Sequence, residues 1–94
     1  MSDEVLIEVR IPTILRPFTR EQKLVSTTGL TLSAAIANLD LQYPGIAERL
    51  LEAGVLRRFI NVYVNDEDVR FSGSLETALK AGDSITILPA VAGG

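Results

Sequence analysis

One stretch of the sequence, residues 32–43, is long and regular enough to form a main helix. Its apolar side chains recur at three- and four-residue spacing, so they share one helical face: Leu32, Ala35, Ile36, Leu39 and Tyr43. Thr31 is a suitable N-cap for this helix, and Pro44 with Gly45 ends it. A helix with one apolar face must pack against a second apolar surface, which the rest of the chain has to supply.

The remaining apolar stretches are short, and three of them alternate with polar residues as half-buried strands do. These are residues 5–11, 57–64 and 84–89. Residues 22–27 are predicted to form a hairpin with the first strand, because only a short loop separates the two. The segment 12–19 contains two prolines and is predicted to be that loop.

Smaller elements are predicted between these strands. Residues 46–54 are expected to add a helical turn or two, and residues 69–71 a short strand after the polar turn 65–68. Residues 74–82 are predicted to form a short helix that ends at Gly82. Its inward side chains are expected to be Leu75, Ala78 and Leu79.

The order of elements is strand, strand, helix, strand, short strand, short helix, strand. One main helix packed across one small mixed sheet in this order is an α+β fold of the β-grasp, or ubiquitin-like, architecture, although periodicity alone would also fit another α+β roll. We expect residues 1–89 to form the β-grasp domain and residues 90–94 to form a flexible C-terminal tail.

Composition narrows the classes of function. The 94 residues contain no Cys and no His, with 12 acidic and 9 basic residues. Thiolate metal sites, disulfides and a histidine general base are therefore absent, and no basic run favours binding to nucleic acid. No apolar run has the length of a membrane helix, and the acidic start lacks the features of a signal peptide. We expect a cytoplasmic protein that binds neither nucleic acid nor membrane.

Acidic and hydroxyl side chains offer no convincing catalytic or metal centre. The run Asp66 to Asp68 lacks the spaced ligands and the glycine of a calcium loop, so a solvated turn is favoured. Glu48 and Glu52 are predicted to lie on a wet helix face. No residue that would activate Ser72 or Ser74 is evident, and both are expected to cap the short helix. We therefore expect a protein that other enzymes act upon, not an enzyme.

The sequence ends with Ala90, Val91, Ala92, Gly93 and Gly94, directly after the last predicted strand. Five residues reach about 16–18 Å when extended, which is enough to enter a partner's active site. Glycine has no Cβ, so it passes narrow channels and leaves the terminal carbonyl carbon open to attack. A carboxylate is a poor acyl donor. Adenylation by ATP would convert it to a mixed anhydride, from which a sulfur donor could displace AMP.

The whole chain resembles the sulfur-carrier proteins of the ThiS and MoaD type, and most closely the branch that serves cysteine biosynthesis in actinobacteria. The resemblance is carried by three stretches: IPTILRP at 11–17, FINVYVNDEDVRF at 59–71 and ITILPAVAGG at 85–94. They span nearly all of the chain. The diglycine is common to all such proteins, and the two longer stretches are more specific.

The resemblance implies a set of partner enzymes. An adenylyltransferase related to MoeB and ThiF, often fused to a rhodanese domain, would use Mg-ATP to adenylate Gly94, and sulfur delivery would leave a thiocarboxylate there. A pyridoxal-phosphate cysteine synthase would take the sulfur, and a zinc metalloprotease of the JAMM type would release the cysteine formed on the tail. The carrier itself needs no cofactor.

Phe59 and Leu88 are predicted to project from the sheet on the face opposite Ile87, beside the tail, as a docking patch. The alternative is that loops or sheet edges cover both side chains. Three other functions stay open. The first is that of a protein modifier joined to lysines of other proteins. The second is that of a small subunit of a molybdopterin-synthase-like complex, and the third is that of a β-grasp module that binds a partner without reacting. The final sulfur acceptor cannot be read from the sequence; thiamin, molybdopterin and sulfur-containing natural products are further candidates.

Overall fold

The computed structural model describes residues 6–89. Two α-helices, α1 at Leu32–Gln42 and α2 at Ile46–Leu50, lie between strands. The strands in chain order are β1 Leu6–Arg10, β2 Leu24–Thr28, β3 Leu51–Glu52, β4 Val55–Leu56, β5 Ile60–Val64, β6 Glu67–Asp68 and β7 Ser84–Pro89. Short 3₁₀ helices occupy Thr13–Thr19, Val69–Phe71 and Ser74–Glu76.

Five strands form one mixed sheet in the order β2-β1-β7-β5-β6. β1 and β2 are antiparallel, with Val9 opposite Val25, whereas β1 and β7 run parallel, with Val9 opposite Ile85. The pairing of β5 with β7 is antiparallel. The sheet with α1 across it is the predicted β-grasp fold, and the parallel pairing sets the carboxyl ends of β1 and β7 at the same edge.

The core lies between α1 and the inner face of the sheet. Its strand residues follow the predicted alternation, and in β2 Val25 is buried while Leu24 is exposed. Eighteen apolar side chains form one buried cluster, whose most enclosed members are Ile7, Leu32, Leu39, Ile46, Leu50, Val9, Val62 and Val69. At about 25 cal/mol per Å² of apolar surface removed from water, this burial is the main source of stability.

α1 begins at the predicted Leu32 and ends at Gln42, one residue before the predicted end. The Thr31 hydroxyl accepts a hydrogen bond from the Ala34 backbone N–H at 3.2 Å, which satisfies one of the free donors at the helix start. The buried Thr27 hydroxyl donates to the Ala35 carbonyl at 2.9 Å and ties β2 to the helix. The helix therefore has a fixed position over the sheet.

The segment between β1 and β2 is more ordered than a loop. Thr13–Thr19 forms a 3₁₀ helix around Pro17, and the buried Thr19 hydroxyl donates to the Gln22 carbonyl at 2.8 Å. The prediction of an irregular loop was incomplete, because proline breaks α-helical hydrogen bonding but is tolerated in short helical turns.

Residues 69–82 differ from both predicted elements. Val69–Phe71 is a 3₁₀ helix, not a strand, and the helix predicted for 74–82 is only the turn Ser74–Glu76. The Thr77 hydroxyl donates to the Ser74 carbonyl at 2.7 Å. After this turn the chain is extended, and Ala78 forms a bridge with Thr31.

The inward side chains of that segment are correspondingly different from those predicted. Leu79 is buried, Leu75 is half-buried and Ala78 is exposed. The predicted capping roles for Ser72 and Ser74 were also wrong as stated, since the helix that they were to cap is absent. The hydrogen bond from the Thr77 hydroxyl to the backbone competes with helix formation. The helical spacing of the apolar residues therefore does not produce a helix here.

Two tight turns join pairs of neighbouring strands. Beyond α2, β3 and β4 form a two-stranded hairpin whose turn, Ala53 and Gly54, has positive φ angles. Of the polar turn predicted at 65–68, only Asn65 and Asp66 form the turn, both at positive φ, while Glu67 and Asp68 form β6 and Glu67 pairs with Val64. Asn is among the residues that most readily adopt this conformation.

The predicted boundary between the domain and residues 90–94 stays a prediction, since those residues lie outside the described range. Within residues 6–89, no helix is long and apolar enough to cross a membrane.

Candidate functional site

The predicted sulfur-carrying residue, Gly94, and its neighbours Ala90, Val91, Ala92 and Gly93 lie outside the described residues. The structure does place the base from which they extend. Pro89 is the last residue of β7 and lies opposite Ile60, the first residue of β5. The site is therefore built around the end of β7, beside the turn that precedes β5.

Leu88 projects from the outer face of the sheet. It lies opposite Asn61 in the register of β7 and β5, and its relative exposure is 44%. It lines an open cleft on the outer face with Leu24, Arg10, Arg16 and other residues. The facing predicted for Leu88 agrees with this position, while its role in docking stays a prediction.

Phe59 is also exposed, with a relative exposure of 59%, but it lies in the turn before β5, not within the strand. It lines a second cleft with Ile14, Phe18 and Arg49. The two predicted docking residues therefore line separate clefts: one contains Leu88, next to Pro89 in the chain, and the other contains Ile60, the sheet partner of Pro89. Alternation along a strand did not apply to Phe59, because that residue precedes the first strand hydrogen bonds.

The outer cleft combines apolar and cationic side chains. Arg10 lies opposite both Leu24 and Thr86 in the sheet, and Arg16 and Lys23 also line the cleft. The Arg16 Nε donates to the Ile11 carbonyl at 3.2 Å, which holds its guanidinium beside the end of β1. The cleft that Leu88 lines is thus cationic.

The second cleft lies at the edge of the sheet, between the 3₁₀ helix Thr13–Thr19 and the start of β5. The guanidinium of Arg49 lies over the Phe18 ring, 4.9 Å from its centroid, a cation–π geometry. Arg57 donates from Nε to the Glu48 carbonyl at 2.9 Å and forms an ion pair with Glu52 at 3.4 Å. These contacts position two arginines around the exposed Phe59.

Arg70 holds the turn that carries Phe59. Its guanidinium donates to the Asn61 side-chain oxygen at 2.7 Å, to the Ile60 carbonyl at 2.7 Å and to the Arg57 carbonyl at 3.2 Å. Three acceptors on one rigid fork fix the path of residues 57–61. Sequence reasoning missed this role, since a lone arginine in a predicted strand carries no signal of its backbone partners.

A hydrogen-bonded carboxylate, Asp83, lies at the opposite end of the sheet, before β7. Asp83 is buried and accepts hydrogen bonds from the Lys80 backbone N–H and the Asn65 amide, both at 2.8 Å. The Lys80 backbone hydrogen bond, followed by the Asn65 bond, lowers the pKa of Asp83 below its usual value of 3.8. This residue anchors the turn before β7, far along the strand from Pro89.

Metal-ligating side chains do not cluster within residues 6–89. In this range no three acidic residues are grouped as metal ligands, and the chain has no His or Cys. Glu48 is engaged through its backbone carbonyl, and Asp68 caps the 3₁₀ helix Val69–Phe71 through the Arg70 N–H at 2.9 Å. The residues considered as paired carboxylates and as a cation loop thus make contacts within the fold and do not form a site.

Comparison with known proteins identifies the class. The model of the ThiS family matches residues 9–94, so this chain is a ubiquitin-like β-grasp protein that belongs to the ThiS family. It is 62% identical over 91 residues to the sulfur carrier protein CysO of Mycobacterium tuberculosis, a match that covers 94% of this chain and 98% of the relative. The chain is therefore a homologue of a sulfur carrier.

Solved structures agree with this assignment. The fold matches a chain in the crystal structure of the Amycolatopsis orientalis BexX/CysO complex, with a TM-score of 0.89, 55% identity and coverage of 94% of this chain and 99% of that chain. It also matches the solution structure of small archaeal modifier protein 1 from Methanosarcina acetivorans, with a TM-score of 0.83, 27% identity and coverage of 99% and 100%.

Proposed function

We propose that this chain carries sulfur as a thiocarboxylate on Gly94. The observation that supports the proposal most strongly is that the family match runs from residue 9 through the diglycine at 93 and 94, in a chain that is 62% identical to a sulfur carrier. Pro89, which is paired with Ile60 in the sheet, supplies the base of the tail.

The chemistry takes place at the terminal acyl group. The Gly94 carboxylate attacks the α-phosphorus of ATP, which forms an acyl adenylate and releases pyrophosphate. Sulfide then attacks the acyl carbon, the C–O bond to AMP breaks, AMP leaves and a thiocarboxylate remains. Where a rhodanese persulfide is the donor, its terminal sulfur makes the attack, AMP leaves, and a thiol then reduces the resulting acyl disulfide to free the thiocarboxylate. The ionised carboxylate alone does not react, because its pKa near ~3.5 leaves it as a weak electrophile at neutral pH.

Partner enzymes provide the cofactors of this cycle. We propose that an adenylyltransferase of the MoeB/ThiF type, with a rhodanese domain as sulfur donor, binds Mg-ATP and activates Gly94. The sulfur acceptor is proposed to be a pyridoxal-phosphate cysteine synthase, with a JAMM-type zinc metalloprotease releasing the product. Cysteine is favoured as the product because the relative at 62% identity is CysO.

A reconstituted sulfur-transfer assay tests the proposal. Deletion of Gly94, or Gly94→Pro, should abolish thiocarboxylate formation with the adenylyltransferase, Mg-ATP and sulfide, while circular dichroism shows an unchanged fold. Ser33→Ala is the control, since Ser33 is exposed on α1 and its side chain makes no hydrogen bond among the described residues. Sulfur transfer by the Gly94 variants at the control's rate would contradict the proposal.

A second candidate, conjugation to lysines of other proteins, is favoured by the likeness to the archaeal modifier protein. Both functions begin with the same adenylation and differ in the acceptor. Incubation with the adenylyltransferase and cell extract separates them: a modifier appears as larger conjugates resistant to reducing agents, whereas a carrier remains at its own size.

A further inference from the structure

Cationic residues that are scattered along the sequence meet at the end of β7. The outer cleft, which contains Leu88, is lined by Arg10, Arg16 and Lys23. The second cleft, which contains Phe59, is lined by Arg49 and by Arg57, whose guanidinium is paired with Glu52 at 3.4 Å. Among residues 6–89, neither cleft is lined by an Asp or a Glu.

The opposite end of the sheet has the reverse charge. The cleft there is lined by Glu8 and Asp83, together with small and apolar residues, and none of its lining residues within 6–89 is a Lys or an Arg. An acidic chain of net charge −3 therefore presents a locally cationic surface where residue 89 leads into the tail. The sequence alone gave no sign of this, because the five cations are spread over positions 10 to 57.

These cations surround exposed apolar side chains. Leu24 and Leu88 have relative exposures of 46% and 44% in the outer cleft, and Ile14 and Phe59 are each 59% exposed in the second. Protein interfaces combine exposed apolar residues with polar and charged ones. Opposite charges on a partner would add orientation and association rate more than affinity.

We propose that the two clefts bind an acidic protein surface, namely the rim of the channel in the adenylating enzyme that receives residues 90–94. This inference rests on the proposed function. The position argues for that occupant, since Leu88 in the outer cleft is next to Pro89 in the chain and Ile60 in the second cleft is the sheet partner of Pro89, so a partner that takes in the tail must approach next to both clefts. Carboxylates on the rim would face Arg10 and Lys23 on one side and Arg49 on the other.

Steady-state adenylation at several salt concentrations tests this surface. Arg10→Gln and Lys23→Gln together should lower kcat/KM for the carrier roughly three- to tenfold at low salt, leave kcat at saturation unchanged and flatten the salt dependence. Lys80→Gln is the control for position, because it removes one positive charge near the opposite end of the sheet, whereas the double variant removes two near Pro89. It should behave as the wild type does.

Three other results would overturn the inference. The first is a double variant whose kcat/KM and salt dependence equal those of Lys80→Gln. The second is a salt-sensitive self-association of the wild type that the double variant abolishes, which would assign the clefts to a second copy of this chain. The third is a wild type that the enzyme does not adenylate at all, which would remove the proposed function and this inference with it.

Discussion

Ile60 at the start of β5 lies directly opposite Pro89 at the end of β7. This pair is the last sheet pairing described before residues 90–94, and it joins the base of the tail to the turn that carries Phe59. The register of β5 with β7 thus determines where the tail begins relative to both clefts. Interactions that hold this register are expected to influence how the tail is presented.

Truncation of the two exposed apolar residues should weaken docking without unfolding the protein. Phe59→Ala and Leu88→Ala are each expected to raise the Kd for the adenylating enzyme about tenfold, a loss typical of apolar interface anchors. The free energy of unfolding should change by only about 0.5 kcal/mol, because both side chains are exposed. Isothermal calorimetry and urea unfolding measure the two quantities.

Phe71→Ala is the control for this pair, since Phe71 is 85% exposed and lines neither cleft. Its Kd should match that of the wild type. Equal effects of Phe59→Ala and Phe71→Ala would show that loss of any surface phenylalanine has the same consequence and that the cleft is not a docking site.

Replacement of Arg70 should destabilise the turn before β5. Arg70→Met removes three hydrogen bonds, to Asn61, Ile60 and Arg57, and is expected to lower the free energy of unfolding by about 1–3 kcal/mol. Arg70→Lys should recover less than half of that loss, because an ammonium lacks the planar fork. Urea denaturation monitored by circular dichroism gives both values.

The neighbouring exposed Arg58 serves as the comparison, because its side chain makes no hydrogen bond among the described residues. Arg58→Met should leave the free energy of unfolding nearly unchanged. A loss as large as that of Arg70→Met would mean that the carbonyl contacts of Arg70 contribute little to the effect.

Stability should depend on the ionisation of Asp83 at low pH. Hydrogen bonds from the Lys80 N–H and the Asn65 amide lower its folded-state pKa below 3.8. The stabilisation is therefore fully present above pH 3.8 and is lost as the pH falls through the lower folded-state pKa. Urea unfolding at pH 7, 4 and 2 should show Asp83→Asn less stable than the wild type at pH 7, with the difference shrinking toward pH 2.

Glu67→Gln removes an exposed carboxylate from β6 that makes no side-chain hydrogen bond among the described residues. Its difference from the wild type should stay small at all three pH values. A gap between Asp83→Asn and the wild type that is constant from pH 7 to pH 2 would contradict the assigned role of the charged carboxylate.

Local patterns predicted the main helix and the paired strands, because each of those signals lies within one short segment. Thr31 next to an apolar helical face defines the start of α1, and alternation in β5 and β7 places Val62 and Ile87 inward. These elements suffice to predict the β-grasp order.

What failed depended on contacts between distant residues. The helix predicted for 74–82 is replaced by an extended segment because Ala78 bridges to Thr31 and Leu79 N–H donates to the Leu30 carbonyl at 2.9 Å. The positioning role of Arg70 and the cationic clefts have the same origin, since only the fold brings their parts together. The terminal diglycine, in contrast, could be recognised as a candidate site from the sequence, because the proposed chemistry takes place at the terminal acyl group and needs no neighbouring side chain.

The central claim is that Gly94 becomes the activated, sulfur-bearing acyl group, and intact-mass spectrometry tests it most directly. After incubation with the adenylyltransferase, Mg-ATP and sulfide, the chain should gain the mass of one sulfur-for-oxygen exchange, and fragmentation should assign that gain to residue 94. An unchanged mass under conditions where the same enzyme activates another carrier, or a gain assigned to any other residue, would contradict the account.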